Sequence, residues 1–296
     1  MTDPAATDDV WTVQRILQWT TGYLTEKGVE SARLEAELLL AHARQCQRIH
    51  LYTDLGEPLA DDARTRMREY VKRRAQREPL AYITGSREFY GRDFHVGPGV
   101  LIPRPETESL IDLCLELIPR EDSVQLCEVG FGSGCICTTL ACQRKQSQIY
   151  ATDLSAAAMG FAQENVVAHG VEDRVVLLSG DGFAPLAEHG VTQLHGIVSN
   201  PPYVRVDEMD GLEPEVAVHE PREALVSGAD GLDLIRRLVA QATDLLCPGG
   251  WLALELDPAQ SQSVVRLFQE HTFVDVTIRR DLNGQDRIVW GRRPTA

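Results

Sequence analysis

Residues 125–134 read Gln-Leu-Cys-Glu-Val-Gly-Phe-Gly-Ser-Gly. The first five form a short, mainly apolar run bounded by glycine, which is typical of a buried β-strand. The glycines that follow permit a tight turn and let the backbone approach a ligand closely. A helical segment comes next, at 135–144. The stretch therefore predicts a strand, a turn suited to ligand binding and a helix in direct succession.

The same alternation of strand and helix continues on both sides of this stretch. Further helices are predicted at 106–117, 156–169, 232–246 and 260–269. Together with 125–129 seven strands are predicted, the others at 148–152, 174–178, 196–199, 251–256, 273–279 and 287–291. Such alternation gives a mainly parallel sheet with helices on both faces. We therefore predict an α/β, doubly wound, Rossmann-like fold that binds ligands at the carboxyl ends of its strands.

Two other segments precede this fold. From 10 to 76 the apolar residues recur at spacings of three and four, which predicts a small helical bundle. Residues 80–105 alternate apolar residues with turn formers, which predicts a short β-hairpin. The expected organisation is a helical domain at 1–79, a bridging hairpin at 80–105 and the α/β domain at 106–296.

The composition is that of a soluble globular protein, with 43% hydrophobic and 25% charged residues in a chain of 296. The apolar runs are strand-sized and much shorter than the ~20 residues of a membrane span. Residues 1–9 are polar and acidic and lack the basic start and apolar core of a signal peptide. We expect a cytoplasmic monomer that does not engage a membrane.

The formal net charge of −15 is unevenly distributed. Residues 1–80 hold 12 basic and 13 acidic residues, whereas the remainder holds 17 and 31. A protein that binds long nucleic acid usually carries an excess of basic over acidic residues. One basic run is present, at Arg64–Arg77, and a solvated helix face is preferred over a binding patch as its interpretation. Direct binding of nucleic acid is therefore not expected.

Four of the seven cysteines lie close together, at Cys127, Cys135, Cys137 and Cys142. Their spacing departs from the usual paired zinc ligands, and they fall in a predicted strand and helix. Small buried thiols in a reducing compartment explain them better than a zinc site. No metal is predicted.

Acidic residues follow the next two strands. Asp153 comes about 20 residues after the glycine turn, where a carboxylate can accept hydrogen bonds from ribose hydroxyls. Its alternative role is to cap the next helix, which Ser155 could equally do. Asp181, followed by Gly182, ends the third strand and could bind an adenine amino group. Three successive strand ends thus carry groups suited to a nucleoside.

The fourth strand end is the most informative, because 197–199 runs directly into Asn200-Pro201-Pro202-Tyr203. The two prolines fix the backbone and remove two donors. The Asn200 side-chain oxygen and the Pro201 carbonyl can then accept both hydrogens of an NH2 group and direct its lone pair toward an electrophile. Tyr203 offers an aromatic face to a planar acceptor. The loop predicts methylation of an amide or amine nitrogen.

With these loops, the chain resembles the PrmC/HemK family of release factor glutamine N5-methyltransferases, which are class I S-adenosylmethionine methyltransferases. The resemblance covers nearly the full length, and its most specific element is Ile-Pro-Arg-Pro-Glu-Thr-Glu at 102–108. Other matching stretches are Pro79–Gly85, Phe89–Gly91, Glu220–Arg222 and Gly228–Leu232. Two residues depart from the family pattern, since Glu128 stands where aspartate is usual and Phe131 where a small residue is common.

The resemblance implies a role for each loop. The residues that would hold the methionine portion of S-adenosylmethionine are Gly130, Phe131, Gly132, Ser133 and Gly134. Asp153 would hold the ribose, and Asp181 with Gly182 would flank the adenine. The loop Asn200–Tyr203, with Asn200 also beside the cofactor, would hold the glutamine amide of the Gly-Gly-Gln motif of class 1 peptide chain release factors. The products would be N5-methylglutamine and S-adenosylhomocysteine.

We hypothesise roles for further parts of the chain. The helical domain and the hairpin would help to dock the release factor. The segment 204–227, which is acidic and rich in turn formers, would close over the bound substrate.

Three rival functions can be weighed against this one. An amino-methyltransferase acting on adenine or guanine in nucleic acid could use the same loop, but the acidic balance of the catalytic part opposes it. A non-catalytic nucleotide-binding scaffold would not need Asn200, Tyr203 and Asp153 intact. An NAD-dependent oxidoreductase would require a different glycine spacing.

Overall fold

A computed structural model of the chain describes residues 10–120 and 122–295. The polar segment at 1–9, on which the prediction about export depends, lies outside the described residues. The chain forms two compact units, divided between Gly85 and Ser86. Of the helices in the described ranges, none combines the length and the apolar composition that a membrane span needs.

The first unit is helical, as its apolar spacing predicts. Its helices are α1 (Val13–Glu26), α2 (Ala32–Arg44), α3 (His50–Thr53), α4 (Asp61–Ala75) and α5 (Leu80–Thr84). Each of the three long helices turns one apolar face inward. Leu17 of α1, Leu39 of α2 and Met67 of α4 are fully buried in one shared cluster.

Several side chains of the basic run Arg64–Arg77 form ion pairs within this unit. Exposed pairs join Arg64 to Asp61 and Arg66 to Asp62, and a partly buried pair joins Arg73 to Glu78. Arg74 is instead buried and pairs with Glu35, which ties α4 to α2. Arg74 therefore departs from the predicted solvated helix face, and that interpretation stays a prediction for the exposed members of the run.

The range 80–105 holds a hairpin that is shorter than the range itself. Its strands are β1 (Ser86–Phe89) and β2 (Arg92–His95), paired antiparallel. The preceding residues form the short helix α5, because the amide of Ile83 donates to the carbonyl of Pro79 at 3.2 Å. This helix ends at Gly85, whose φ of +74° is accessible mainly to glycine.

The second unit continues from the hairpin with alternating helices and strands. Its helices are α6 (Glu108–Leu117), α7 (Cys135–Gln143), α8 (Ala156–Ala168), α9 (Ala184–Glu188), α10 (Pro214–His219), α11 (Asp233–Leu245) and α12 (Ser261–Glu270). Its strands are β3 (Gln125–Val129), β4 (Gln148–Asp153), β5 (Val175–Ser179), β6 (Leu194–Ser199), β7 (Leu246–Glu255), β8 (Val274–Arg280) and β9 (Asp286–Arg292).

The seven strands form one sheet in the order β5-β4-β3-β6-β7-β9-β8. The first five run parallel, and β9 runs antiparallel to both of its neighbours. This confirms the predicted α/β class and the seven-stranded, mainly parallel sheet. The chain moves outward from β3 to β5 on one side and from β6 onward on the other, so the strand order reverses between β3 and β6. Such a reversal opens a crevice at the carboxyl ends of the strands.

The cysteines are all free thiols, and Cys114, Cys127, Cys135 and Cys137 are buried. Across residues 10–120 and 122–295, no three His, Cys, Asp or Glu side chains are grouped so that they could hold a metal ion.

Candidate active site

A cavity of about 250 Å³ lies at the carboxyl ends of β3, β4, β5 and β6. It occupies the position beside the reversal of strand order where open α/β sheets bind ligands. The loops after these four strands line it, together with parts of the segments 99–107 and 221–224. The four loops were predicted from the sequence. Residues 221–224 belong to the segment 204–227 that was predicted to close over the substrate, and residues 99–105 belong to the range 80–105 that was predicted to help dock the release factor; neither was predicted to line a cofactor cavity.

Four of the five residues predicted to hold the methionine portion of a cofactor line this cavity, and these are Gly130, Phe131, Gly132 and Ser133. The loop is anchored where it leaves β3, because the amide of Gly130 donates to the carbonyl of Thr152 at 2.8 Å. Gly134 does not line the cavity. It starts α7 with a φ of +75°, and a Cβ there would lie 3.1 Å from the Cβ of Ala162 on α8. Its role is to let these two helices pack closely.

Asp153 lines the cavity at the end of β4, and backbone amides fix both of its carboxylate oxygens. Oδ2 accepts from the amide of Gly132 at 2.9 Å, and Oδ1 accepts from the amide of Ser155 at 2.8 Å. The helix cap is Ser155, whose hydroxyl accepts from the amide of Ala158 at 3.2 Å. Because each carboxylate oxygen has more than one acceptor position, Asp153 can still bind hydroxyl groups in the cavity.

Glu128, the fourth residue of β3, is fully buried and also lines the cavity. Its Oε2 accepts from the amide of Cys137 at 2.8 Å, whereas its Oε1 has no partner among the described residues. Burial raises the pKa of Glu128 to about 8. A cationic group in the cavity would oppose this rise and satisfy the second oxygen.

Asp181 and Gly182, after β5, are the third predicted element, and both line the cavity. The Oδ2 of Asp181 pairs with Nη2 of Arg237 on α11 at 2.7 Å, and both side chains are about half exposed. Arg237 was not predicted to take part in the site. The ion pair holds the carboxylate in place and leaves Oδ1 available to a ligand.

The Asn200–Tyr203 loop brings Asn200 and Pro202 to the cavity wall at the end of β6. The Nδ2 of Asn200 donates to Oγ1 of Thr107 at 3.1 Å. This hydrogen bond engages the nitrogen of the amide, so its Oδ1 is the atom left to accept from a ligand. Thr107 belongs to the Ile-Pro-Arg-Pro-Glu-Thr-Glu string, which sequence reasoning used as a family mark without giving it a role.

Pro201 and Tyr203 do not line the cavity. The carbonyl of Tyr203 accepts from Nε2 of Gln260 at 2.9 Å and packs against Gly231, where a Cβ would approach it to 2.1 Å. Gly231 has a φ of +75° and cannot be replaced here without moving the loop. Burial raises the pKa of the Tyr203 phenol above its ordinary value. The roles predicted for Pro201 and Tyr203 stay predictions.

A buried carboxylate joins the segments 99–107 and 221–224 of the wall. Glu220 is 6% exposed, and its Oε1 accepts from Nη2 of Arg104 at 2.6 Å. Its Oε2 accepts from the amide of Ile102 at 3.2 Å. This contact holds the residues after α10 against the segment that carries Thr107.

The fold and the cavity define the class of protein. Solved structures with a similar fold include a methyltransferase from Pyrococcus furiosus, with a TM-score of 0.52 and 19% identity, over 75% of this chain and 98% of that one. The hMettl16 catalytic domain has a TM-score of 0.55 and 14% identity, over 80% and 82% of the two chains. The fold of the second unit is therefore the one found in these methyltransferase structures.

Sequence comparison gives the particular family. Residues 15–85 match the PrmC N-terminal domain, and residues 109–230 match the methyltransferase small domain. A release factor glutamine methyltransferase from Geobacter sulfurreducens is 44% identical over 284 residues, 96% of this chain and 98% of that protein. One from Rhodopirellula baltica is 39% identical over 287 residues, 95% and 96% of the two chains. The chain belongs to the release factor glutamine methyltransferase family, which confirms the predicted resemblance.

Proposed function

We propose that the chain methylates the side-chain amide nitrogen, N5, of the glutamine in the Gly-Gly-Gln motif of class 1 peptide chain release factors. The observation that carries this proposal is the setting of Asn200. Its Nδ2 is engaged by Thr107, and its Oδ1 is free at the wall of the cavity beside the reversal of strand order. An acceptor oxygen in that place suits a substrate NH2 group.

The residues of the cavity fit S-adenosylmethionine as the methyl donor. The carboxyls of Glu128, Asp153 and Asp181 make the wall acidic, which suits a ligand with a positive sulfonium and a positive ammonium. The unpartnered oxygen of buried Glu128 would take the ammonium, and Asp153 would take the ribose hydroxyls. Asp181 and Gly182 would flank the adenine. The same wall disfavours the anionic pyrophosphate of a dinucleotide.

The proposed reaction depends on how the glutamine amide nitrogen is oriented toward the methyl donor. Asn200 Oδ1 and the Pro201 carbonyl would each accept one hydrogen of the glutamine NH2, which turns the nitrogen lone pair toward the donor. S-adenosylmethionine held by these residues would supply an electrophilic methyl group bonded to sulfur, and the other product would be S-adenosylhomocysteine. The nitrogen–methyl bond forms as the sulfur–methyl bond breaks, and the surplus proton leaves the nitrogen afterwards. Pro202 and Tyr203 would support the loop and the planar amide.

In this proposal the enzyme is a cytoplasmic monomer and its partner is a protein substrate. Methylation of adenine or guanine in nucleic acid remains the second candidate, because an exocyclic amine also offers two hydrogens. The net charge of −15 opposes it, since phosphate contacts require a basic surface.

Transfer of labelled methyl from S-adenosylmethionine to a purified release factor tests the proposal. A release factor whose Gly-Gly-Gln glutamine is changed to alanine serves as the matched control. Label on the normal factor and none on the altered one is the expected result. Equal label on both would mean another target residue, and label on RNA or DNA alone would establish the second candidate.

A further inference from the structure

The stretch Gly228–Leu232 packs against the end of the Asn200–Tyr203 loop, and a glutamine side chain lies at this contact. A Cβ at Gly231 would lie 2.1 Å from the carbonyl oxygen of Tyr203 and 2.4 Å from Nε2 of Gln260. The contact therefore requires a residue without a side chain at position 231. The stretch is one of those that carry the family resemblance, and its second glycine is explained by this contact.

Gln260 holds the backbone carbonyls of two different loops. It directly precedes α12 and is 9% exposed. Its Nε2 donates to the carbonyl of Tyr203 at 2.9 Å and to the carbonyl of Asp230 at 3.1 Å. Its Oε1 accepts from the amide of Asp257 at 3.3 Å. With two carbonyls on one side and an N–H on the other, only this orientation of the side-chain amide satisfies all three partners.

The peptide unit between Tyr203 and Val204 is therefore held at both of its polar groups. Gln260 binds its carbonyl, and its N–H donates to the carbonyl of Leu225 at 2.8 Å. The other end of the loop is fixed by Ser199, the last residue of β6. The loop that would hold the substrate amide is thus attached at its beginning and at its end.

Fixing both ends of this loop directs the carbonyl groups inside it. The rings of Pro201 and Pro202 restrict φ at both positions, so few backbone torsions remain free between Ser199 and Tyr203. A rotation of the Tyr203 carbonyl would be passed through these torsions to the Pro201 carbonyl. That carbonyl is the second acceptor for the substrate NH2 group in the proposed function, and a displacement of about 1 Å can lower a rate by about 100-fold.

We propose that Gln260 is a positioning residue for methyl transfer, whose side-chain NH2 group holds the Tyr203 carbonyl and thereby directs the Pro201 carbonyl toward the substrate amide. The proposal rests on the proposed function, because it concerns the same loop. Gln260 does not line the cavity and acts through the loop. It also ties the loop to Asp230, whose carboxylate is held by Arg236 of α11.

The test compares steady-state methyl transfer to a release factor by wild type, Gln260→Glu and Gln260→Met. Gln260→Glu keeps an oxygen for the amide of Asp257 and replaces the donating NH2 with a second oxygen, which repels the two carbonyls. Gln260→Met keeps the length of the side chain and removes the donor. The matched control is Gln148→Glu, at the amino end of β4, where Nε2 also donates to a backbone carbonyl, that of Arg174 at 3.2 Å.

Gln260→Glu and Gln260→Met should each lower kcat by about tenfold or more at pH 8. KM for the release factor should stay within about threefold, because the other contacts of a protein substrate are unchanged. The dissociation constant of S-adenosylmethionine, measured by calorimetry, should also stay within about threefold, because the loops after β3, β4 and β5 are unchanged. Gln148→Glu should transfer methyl at the wild-type rate.

The carboxyl introduced by Gln260→Glu provides a second readout within one folded protein. Burial at this position and the nearby carboxylates of Asp230 and Asp257 raise the pKa of that carboxyl, and the pH dependence of its effect on the free energy of unfolding measures this pKa. Below the pKa the carboxyl carries an O–H that can donate to the Tyr203 carbonyl again. The kcat of Gln260→Glu, as a fraction of wild-type kcat at the same pH, should therefore rise as pH falls through this pKa. The fraction for Gln260→Met should stay constant.

The proposal is overturned by wild-type kcat in both Gln260 variants, or by an equal loss in kcat and in affinity for S-adenosylmethionine. A carboxyl in Gln260→Glu that takes up its proton without any recovery of kcat also overturns it. Should Gln260→Glu fail to unfold cooperatively, the constants of Gln260→Met decide the matter alone. A wild-type enzyme that transfers no methyl to the release factor would instead refute the proposed function.

Discussion

The side chain of Asn200 supplies one acceptor to the proposed reaction, since its nitrogen is engaged by Thr107. Asn200→Ala removes that acceptor without touching the acidic wall that suits the cofactor. We expect kcat to fall by about 100-fold or more, with the dissociation constant of S-adenosylmethionine within a few-fold. Methyl transfer and calorimetric titration measure the two effects. Asn283→Ala, in an exposed turn, is the control, and substantial turnover by Asn200→Ala would exclude the role given to it.

Asp153 should govern cofactor binding rather than the rate of transfer. Asp153→Ala removes a carboxylate from the cavity and leaves the amides of Gly132 and Ser155 without their acceptor. We expect the affinity for S-adenosylmethionine to fall by about tenfold or more, because charge-assisted hydrogen bonds are lost. Calorimetry measures the affinity. Asp173→Ala, at an exposed acidic residue, should bind normally, and normal binding by Asp153→Ala would contradict the assignment.

Sequence reasoning located some of these residues and missed others for a physical reason. Asp153 and Asn200 could be predicted because each directly follows a strand, and strand ends of a parallel sheet share one edge. Thr107 lies 93 positions from Asn200, and its part depends on how a loop folds back over that edge.

At the scale of elements, the apolar patterns predicted the strands well. The strand at 125–129 has the predicted bounds, the one at 148–152 extends one residue further, and the one at 174–178 is shifted by one residue. The exception is 80–84, where alternation with turn formers indicated a hairpin and the chain forms α5. A five-residue apolar segment has no distinguishing period, so the backbone bonds to Pro79 and the left-handed Gly85 determine its structure.

The segment 204–227, for which we hypothesise closure over the substrate, is held at both ends. Val204 pairs with Val226 in an isolated parallel bridge, and Glu220 binds Arg104 and the amide of Ile102. Any closure must therefore come from the residues between these anchors. The anchor at Glu220 is the one that a substitution can release without changing the sheet.

Glu220→Ala should raise KM for the release factor by about tenfold while the dissociation constant of S-adenosylmethionine stays within about threefold. The reason is that the residues after α10 lose their buried contact to the segment that carries Thr107. Enzyme kinetics and calorimetry give the two constants. Glu223→Ala, at the exposed rim of the same wall, tests whether any change in this segment has that effect. Equal losses in the two constants would exclude a substrate-specific role.

At the scale of the whole molecule, the two buried carboxyls should make stability depend on pH. Burial raises the pKa of Glu128 to about 8 and that of Glu255 to about 7, from an ordinary value of 4.5. Between pH 4.5 and those values the folded chain keeps protons that the unfolded chain releases. The folded state then binds more protons, so these two residues lower the free energy of unfolding as pH rises through this window.

The difference between wild type and Glu255→Gln isolates one of these contributions, because every other group titrates alike in both proteins. At pH 4 the carboxyl is mostly protonated in both the folded and the unfolded chain, so the free energies of unfolding of wild type and variant should nearly agree. At pH 8 the variant should be more stable by about 3 kcal/mol, since it buries no charge. Denaturant unfolding of the cofactor-free proteins at the two pH values measures this. Equal stability of the two proteins at both pH values would mean that Glu255 ionises in the folded chain as freely as in the unfolded one.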